Sequence, residues 1–321
     1  MATAEENLVK TLRILARIGS GAFGEVYSGM DRKTNRQIAI KFEPTTRFAK
    51  SMLKHESELL TELRGEHGIV QMHTFCTLST LHALTMELLG ANLEELRRRR
   101  PSKTFSVKTV ITIASQMVDR LHCIHAHNIL HRDLKPANMA IGLGDKDSTV
   151  HLLDFGVGIK YRTSPTSAHI PYIEGKKPTG NCLFMSLNTH FGAQSSRRDD
   201  LESLAYVLIY LLRGELPWSK IPDDDTMMTR VYQAKETTSS DELCKGLPSV
   251  FSEFLQYSRG MEFDEEPDYE RLKNMFLHSY NDIYAFPHDD LFDWSIPSEK
   301  KEEKKEKKKA GFFARLFSRK N

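Results

Sequence analysis

The segment His131-Arg132-Asp133-Leu134-Lys135-Pro136-Ala137-Asn138 places a carboxylate, a lysine and an amide within six residues. Asp133 can accept a hydrogen bond from an incoming hydroxyl group, and Lys135 can offset negative charge on a moving phosphoryl group. Asn138 can offer its amide oxygen to a metal ion. We therefore predict a phosphoryl-transfer loop in which Asp133 and Lys135 are catalytic residues.

A second carboxylate follows sixteen residues after Asn138, in Asp154-Phe155-Gly156, directly after an apolar pair of leucines. Mg²⁺ binds hard oxygen ligands and keeps several waters, so one amide, one carboxylate and phosphate oxygens are sufficient for it. Asn138 and Asp154 are the predicted metal ligands, and ATP with Mg²⁺ is the predicted cofactor pair.

Upstream, the run Gly19-Ser20-Gly21-Ala22-Phe23-Gly24-Glu25-Val26 lies between two extended segments. Glycines let the backbone close over phosphate oxygens at positions where side chains would clash. A dinucleotide-binding turn has similar glycines, but it requires a helix directly after them, and the residues from Glu25 to Tyr27 favour a strand. Considered alone, the run is also compatible with an ordinary glycine-rich hairpin.

A lysine ends the apolar strand Ile38-Ala39-Ile40-Lys41, and Glu56 lies on the helical segment that follows. Burying an unpaired lysine costs on the order of several kcal/mol, so we predict that Glu56 is its partner. Such a pair holds the lysine against the α- and β-phosphates of a nucleotide. Chance does not readily place a glycine loop, this pair and both carboxylate motifs in one order.

The chain divides into a strand-rich part and a helical part. Apolar runs before residue 90 predict strands around one helix, and the periodicity beyond it is helical. This pattern predicts an α+β fold with a small lobe over about 10–89, a larger lobe over about 90–295, and a lysine-rich, disordered tail over 296–321. The predicted strands cover 12–18, 24–27, 37–42, 69–76 and 81–89, and the predicted helices cover 52–63, 107–125, 201–212, 250–257 and 269–280.

Composition is that of an ordinary globular protein, with 40% hydrophobic and 27% charged residues. Four widely spaced cysteines suit a reducing compartment, and a polar start without a long apolar run leads us to expect a cytoplasmic protein, with the nucleus as a second location. The basic residues are concentrated in the tail, so the net charge says nothing about the ligand of the main domain. No nucleic-acid partner is expected. We also expect a monomer.

Several potential zinc ligands lie close together in the sequence, namely His122, Cys123, His125, His127 and His131. The cluster ends in the predicted catalytic loop, and His125 and His131 stand where protein kinases, which these motifs resemble, have packing histidines. A zinc site is therefore the weaker interpretation of these residues.

Together these motifs resemble those of protein kinases, over about residues 10–295. More narrowly, Met185-Ser186-Leu187-Asn188-Thr189-His190 stands where most kinases have Ala-Pro-Glu and is similar to the casein kinase 1 superfamily, as are 87–90, 196–204, 214–218 and 292–294. The ending at 286–294 is similar to the tau-tubulin kinase branch and to relatives expanded in nematodes. The sequence does not choose between these branches.

The resemblance implies the two-lobed protein kinase fold and a serine/threonine kinase that transfers the ATP γ-phosphoryl group to protein substrates. It also implies activity without phosphorylation of the activation segment. Lys135 distinguishes this type from tyrosine kinases, which lack a lysine at that position. The alternative is a pseudokinase or scaffold, which is disfavoured by the presence of Lys41, Glu56, Asp133, Asn138 and Asp154.

An adenine pocket is implied as well. Met86 would be the gatekeeper, Glu87 and Leu89 would offer backbone groups to the base, Ala140 would lie beneath it, and Asp200 would brace the catalytic loop. The full set implied to bind the nucleotide is Ile18, Gly19, Ser20, Gly21, Ala22, Phe23, Gly24, Val26, Ala39, Lys41, Met86, Glu87 and Leu89.

The segment that is expected to contact the protein substrate departs from the pattern of the casein kinase 1 superfamily. Gly180-Asn181-Cys182-Leu183-Phe184 stands where the family has Gly-Thr-Ala-Arg-Tyr, and Ile159 replaces a frequent lysine. The family threonine contacts the catalytic aspartate and lysine, and Asn181 is expected to replace that contact imperfectly. Without basic residues at 159 and 183, a preference for phosphorylated or acidic substrates is expected to be weak.

The tail ends in Ala310-Gly311-Phe312-Phe313-Ala314-Arg315-Leu316-Phe317-Ser318-Arg319-Lys320. On a helix its aromatic residues and Leu316 would share one side, next to cations, as in segments that contact anionic membranes. A solvated tail with an import or docking role is the other interpretation, and both remain open.

Overall fold

The smaller lobe is built on a five-stranded antiparallel sheet with strand order β1-β2-β3-β5-β4 and one helix. The computed structural model describes residues 11–21, 24–46, 50–163, 168–284 and 291–295. The elements of this lobe are β1 (Leu12–Gly21), β2 (Gly24–Asp31), β3 (Arg36–Pro44), α1 (Met52–Glu62), β4 (Met72–Thr77) and β5 (Leu81–Glu87).

Burial and capping explain these elements. In β3 the successive residues from Ile38 to Lys41 are all buried, as expected for a central strand that is covered on both faces. Helix α1 begins after Ser51, whose hydroxyl accepts the N–H of Lys54, and it buries Leu53 and Leu59 together with Leu60 on one face. The buried face fixes the rotation of α1 over the sheet.

The larger lobe is mainly helical. Its helices are α2 (Leu93–Arg98), α3 (Val107–Ala126), α4 (Leu187–Phe191), α5 (Arg197–Arg213), α6 (Met227–Thr237), α7 (Ser240–Leu243), α8 (Ser249–Gly260) and α9 (Tyr269–Ile283). Short strands carry the connecting loops, namely β6 (Ile129–Leu130), β7 (Met139–Ile141), β8 (Val150–Leu152), β9 (Ile159–Lys160), β10 (Arg162–Thr163) and β11 (Ala168–His169).

The core of this lobe is centred on α3 and α5. Helix α5 is buried on almost all sides, and α9 packs along α3 with Phe276 and Tyr280 fully buried. Phe292 also belongs to this core. The packed structure thus includes residues near the end of the described chain.

The predicted α+β, two-lobed architecture is confirmed, with some differences in the elements. The strand expected from residue 69 begins at Met72, and helices α2, α4, α6 and α7 were not predicted, because they are short or have mixed polarity. The tail over 296–321 lies outside the described residues. No helix in the described part is long and apolar enough to cross a membrane.

Candidate active site

A cavity of about 740 Å³ lies between the lobes and collects most of the predicted nucleotide-binding residues. The glycine-rich β1–β2 turn forms one wall, and the chain following β5 forms another. Ala22 and Phe23 lie outside the described residues. The predicted residues that line the cavity are Ile18, Gly19, Ser20, Gly21, Gly24, Val26, Ala39, Lys41, Glu56, Met86, Glu87, Leu89, Lys135, Asn138 and Asp154, together with Ala140.

Lys41 is the centre of a buried ionic cluster at the back of this cavity. Its ammonium lies 2.7 Å from Glu56 Oε2 on α1 and 2.9 Å from Asp154 Oδ1 after β8. The second oxygen of Glu56 accepts the N–H of Phe155 at 3.3 Å. Three separate segments of the chain are therefore held together around one cation.

For Lys41 and Asp154 the charged partners outweigh the effect of burial on the pKa, whereas burial raises the pKa of Glu56 above its usual value. Burial alone would lower the pKa of Lys41, but the carboxylates of Glu56 and Asp154 raise it above its usual value. Burial would likewise raise the pKa of Asp154, yet the Lys41 ammonium holds it below its usual range. Lys41 is therefore a cation and Asp154 an anion at neutral pH.

In the loop between β6 and β7, hydrogen bonds to one of the two carboxylate oxygens of Asp133 fix its orientation. Lys135 Nζ donates to Asp133 Oδ2 at 2.6 Å, and Asn138 Nδ2 donates to the same oxygen at 3.2 Å and to the Asp133 carbonyl at 2.9 Å. The other oxygen, Oδ1, is buried and has no hydrogen-bond partner among the described residues. A buried carboxylate oxygen without a donor is costly, so Asp133 is ready to receive one.

Asp200, at the start of α5, supports this loop from below. Its two oxygens accept the backbone N–H groups of His131 at 2.8 Å and Arg132 at 2.9 Å, and it also contacts His125 Nε2 at 3.0 Å. Arg132 and Asp154 both adopt left-handed backbone conformations, with φ of 66° and 68°. Such conformations are strained in residues with side chains, so the surrounding bonds must maintain them.

Gly180 approaches the loop so closely that a side chain would not fit. A Cβ atom there would lie 2.2 Å from the carbonyl oxygen of Arg132, and φ is +103°. Glycine at 180 therefore allows the chain at this point to pack against the catalytic loop.

The residues predicted to hold Mg²⁺ have suitable chemistry for it. Both amide hydrogens that Asn138 is seen to use go to Asp133, which leaves its amide oxygen as the group for a cation. Asp154 provides an ionised carboxylate on the same cavity wall. Oxygen donors from one amide and one carboxylate fit a magnesium ion that keeps waters and phosphate oxygens.

On the substrate side the expected role of Asn181 is wrong. Its Oδ1 accepts the N–H of Leu183 at 3.0 Å, and among the described residues it makes no bond to Asp133 or Lys135. The amide caps its own turn instead of bridging to the loop. Leu183 is half-buried against the core, so no cation lies at this position.

Lys235 on α6 is a further buried residue that the sequence did not single out. Its ammonium donates to the carbonyls of Cys182 at 2.9 Å and Met185 at 2.7 Å, and it lies 3.1 Å from His190 Nε2. These carbonyls belong to the segment that follows Gly180. A lysine within a mixed-polarity helix gives no sequence signal for such a long-range contact.

The histidines of the suspected zinc cluster are distributed over different contacts. His125 bonds to Asp200 and to the Tyr269 hydroxyl, and His131 faces the Leu153 carbonyl, so both are packing residues, as expected. His122 stacks on Tyr269 at 4.6 Å. The five residues therefore do not converge on one metal ion.

Comparison with known families agrees with this geometry. The model described as "Protein kinase domain" matches residues 12–263, which is more than three quarters of the chain. The match covers the glycine turn, the Lys41 cluster, the catalytic loop and the Asp154 motif. The chain belongs to the protein kinase family.

Proposed function

We propose that this kinase is a serine/threonine protein kinase of the casein kinase 1 type, active on protein substrates with ATP and Mg²⁺. The observation that carries the proposal is the orientation of Asp133: one oxygen is fixed by Lys135 and Asn138, and the other is buried and without a donor. An acceptor hydroxyl would provide that donor. A scaffold that transfers nothing has no need of such an oxygen.

The residues present divide the chemistry between them. Asp133 Oδ1 accepts the proton-bearing hydroxyl and aligns its oxygen for attack. Lys135, within reach of the same carboxylate, offsets negative charge on the transferred group, and Lys41 holds the α- and β-phosphates. Mg²⁺, when bound through Asn138 and Asp154, neutralises charge on the phosphate oxygens.

Activity without phosphorylation of the activation segment is supported by the contacts of Arg132. Its Nε donates to the carbonyl of Val157 at 2.8 Å, and the ionic cluster of Lys41, Glu56 and Asp154 is already assembled. A phosphate is therefore not required to bring these groups together. The similarity of 185–190 to the casein kinase 1 pattern supports the same conclusion.

The test is transfer from γ-labelled ATP to casein by bacterially expressed, phosphatase-treated full-length protein, followed by phosphoamino-acid analysis. We expect label on serine and threonine only, and loss of at least about 10²-fold in rate for Asp133→Asn, since Asp133 is the acceptor group. Asp119→Asn is the matched control, because Asp119 forms a half-exposed ion pair with Lys273.

Three outcomes would contradict the proposal. Labelled tyrosine would refute the serine/threonine assignment. An Asp133→Asn rate equal to that of Asp119→Asn would refute the role of Asp133. A complete absence of transfer by folded, nucleotide-binding wild type would support the scaffold alternative, and recovery of activity only after phosphorylation would refute activation independence.

A further inference from the structure

A second group of chemically active side chains lies outside the nucleotide cavity. Cys123 lies in the last turn of α3 and His127 is the residue that caps its C-terminus, and both face Glu66, which lies in the loop after α1. Cys123 Sγ is 3.3 Å from Glu66 Oε2, and His127 Nε2 is 3.5 Å from Glu66 Oε1. One ligand atom from each residue lies within 4.8 Å of the other two.

The imidazole of His127 is already held in a metal-binding orientation. Its Nδ1 lies 2.9 Å from the backbone carbonyl of Cys123. A carbonyl can only accept, so Nδ1 carries a hydrogen, and a metal ion at Nε2 would take the place of any proton that this nitrogen shares with Glu66. A ligand histidine whose other nitrogen donates to a carbonyl is the usual arrangement at metal sites, because it fixes both tautomer and ring direction.

The Glu66 carboxylate is supported by an ordered loop. Gln71 Nε2 donates to the Glu66 carbonyl at 3.1 Å, and Gln71 Oε1 accepts the N–H of Gly65 at 2.8 Å. The Glu66 and His127 side chains remain 39% and 33% exposed, so an ion can reach them from solvent. The three groups therefore form a preorganised and accessible set.

We propose that Glu66, Cys123 and His127 form a binding site for a zinc-class transition-metal ion, with water as a fourth ligand. A soft sulfur with an imidazole and one carboxylate selects zinc over magnesium or calcium, which prefer oxygen alone. In a tetrahedral zinc site, neighbouring ligand atoms are roughly 3.4–3.6 Å apart, from metal–ligand distances of about 2.0–2.3 Å. The observed separations of 3.3 and 3.5 Å go to different oxygens of Glu66, and one ligand atom from each of the three residues lies within 4.8 Å of the other two, so small side-chain rotations would bring them to these values.

Binding of the ion replaces a proton. In the metal-free protein the Cys123 thiol donates its hydrogen to Glu66 Oε2 at 3.3 Å, so it is protonated. Formation of the metal–sulfur bond releases that proton to solvent, with no change in oxidation state. The bound ion would connect the loop after α1 to the end of α3 in the larger lobe. Helix α1 is the helix that carries Glu56.

Titration of the metal-free full-length protein with Co²⁺, and separately with Zn²⁺, tests the site. We expect one equivalent of Co²⁺ to produce the near-ultraviolet thiolate-to-cobalt absorption band, and Zn²⁺ to displace it. Cys123→Ser should remove the band, and His127→Gln should weaken binding by more than about 100-fold, since losing even an outer partner of a ligand costs roughly 10- to 100-fold.

Matched controls separate this site from other thiols and histidines. Cys76→Ser changes a half-buried cysteine on β4, and His122→Gln changes a histidine on the same helix that stacks on Tyr269; both should bind Co²⁺ like the wild type. The proposal is overturned if the wild type shows no thiolate band, or if the band survives Cys123→Ser. It is also overturned if Cys76→Ser removes the band.

Discussion

Among the residues that the structure describes, two lysines are buried, one in each lobe, and they differ in what surrounds them. Lys41 lies between two carboxylates, Glu56 and Asp154, and these anions raise its pKa. Lys235 is fully buried, but it donates to the carbonyls of Cys182 and Met185. Burial lowers its pKa to about 7.

The neighbours of Lys235 explain the difference. His190 is neutral, because burial and the nearby lysine lower its pKa to about 3, and the rings of Tyr206 and Trp218 lie 4.9 and 5.3 Å from the ammonium. Carbonyl dipoles and aromatic faces stabilise a cation less than two carboxylates do. Two lysines that are both buried therefore behave differently. Lys41, in the nucleotide cavity, stays charged, whereas Lys235, beneath the segment that follows Gly180, can titrate near neutral pH.

Removing one anion from Lys41 should have the largest effect. Asp154→Asn leaves Lys41 bonded to Glu56 at 2.7 Å, so we expect the fold to persist while the carboxylate for Mg²⁺ is lost. Transfer to casein should fall at least about 10³-fold, as expected for loss of a principal electrostatic group. Initial rates and thermal unfolding of Asp154→Asn and Asp119→Asn would check this, and equal rates for the two variants would contradict it.

The buried environment of Lys235 leads us to expect that replacing this lysine lowers the stability of the protein. Lys235→Met leaves the Met185 carbonyl without this donor, and we expect a loss of about 1–3 kcal/mol in the free energy of unfolding at neutral pH. Between about pH 7 and 10.5 the unfolded state binds more protons than the folded state, because the folded pKa is the lower one. The wild type should therefore gain stability relative to Lys235→Met as the pH rises through this range.

Urea unfolding just below pH 7 and at about pH 9 would measure this difference. Lys273→Met is the control, because Lys273 is 39% exposed and paired with Asp119. If the difference in the free energy of unfolding between wild type and Lys235→Met is the same at both pH values, Lys235 is charged throughout this range, as Lys41 is.

A smaller effect is expected from adding a cation on the substrate side. Leu183→Arg would introduce the arginine that the casein kinase 1 pattern has at this position, and the bond from Trp218 Nε1 to the residue 183 carbonyl does not depend on the side chain. We expect kcat/KM for a phosphorylated peptide, relative to its unphosphorylated form, to rise roughly three- to tenfold, equivalent to about 1 kcal/mol. Leu183→Met should leave this ratio unchanged, and an unchanged ratio for Leu183→Arg would argue against electrostatic selection here.

The lobed fold and the chemistry of the cavity could be predicted from the sequence, because they depend on short local patterns. Asp133, Lys135 and Asn138 lie within six residues, and the glycine turn, Lys41 and Glu56 are each recognisable within a strand or helix. Such patterns can be recognised in the sequence without knowledge of the tertiary packing. They identify which groups take part, but not which atoms are free.

Only the tertiary structure decided how those groups are constrained. The open oxygen of Asp133, the Asn181 side chain that caps its own turn, and the two carbonyls that surround Lys235 all depend on packing between distant segments. The same is true of Glu66, which lies 57 residues before Cys123 in the chain yet faces it across the lobes. Hydrogen bonds need positions accurate to a fraction of an ångström, and such accuracy comes from the folded core rather than from local sequence.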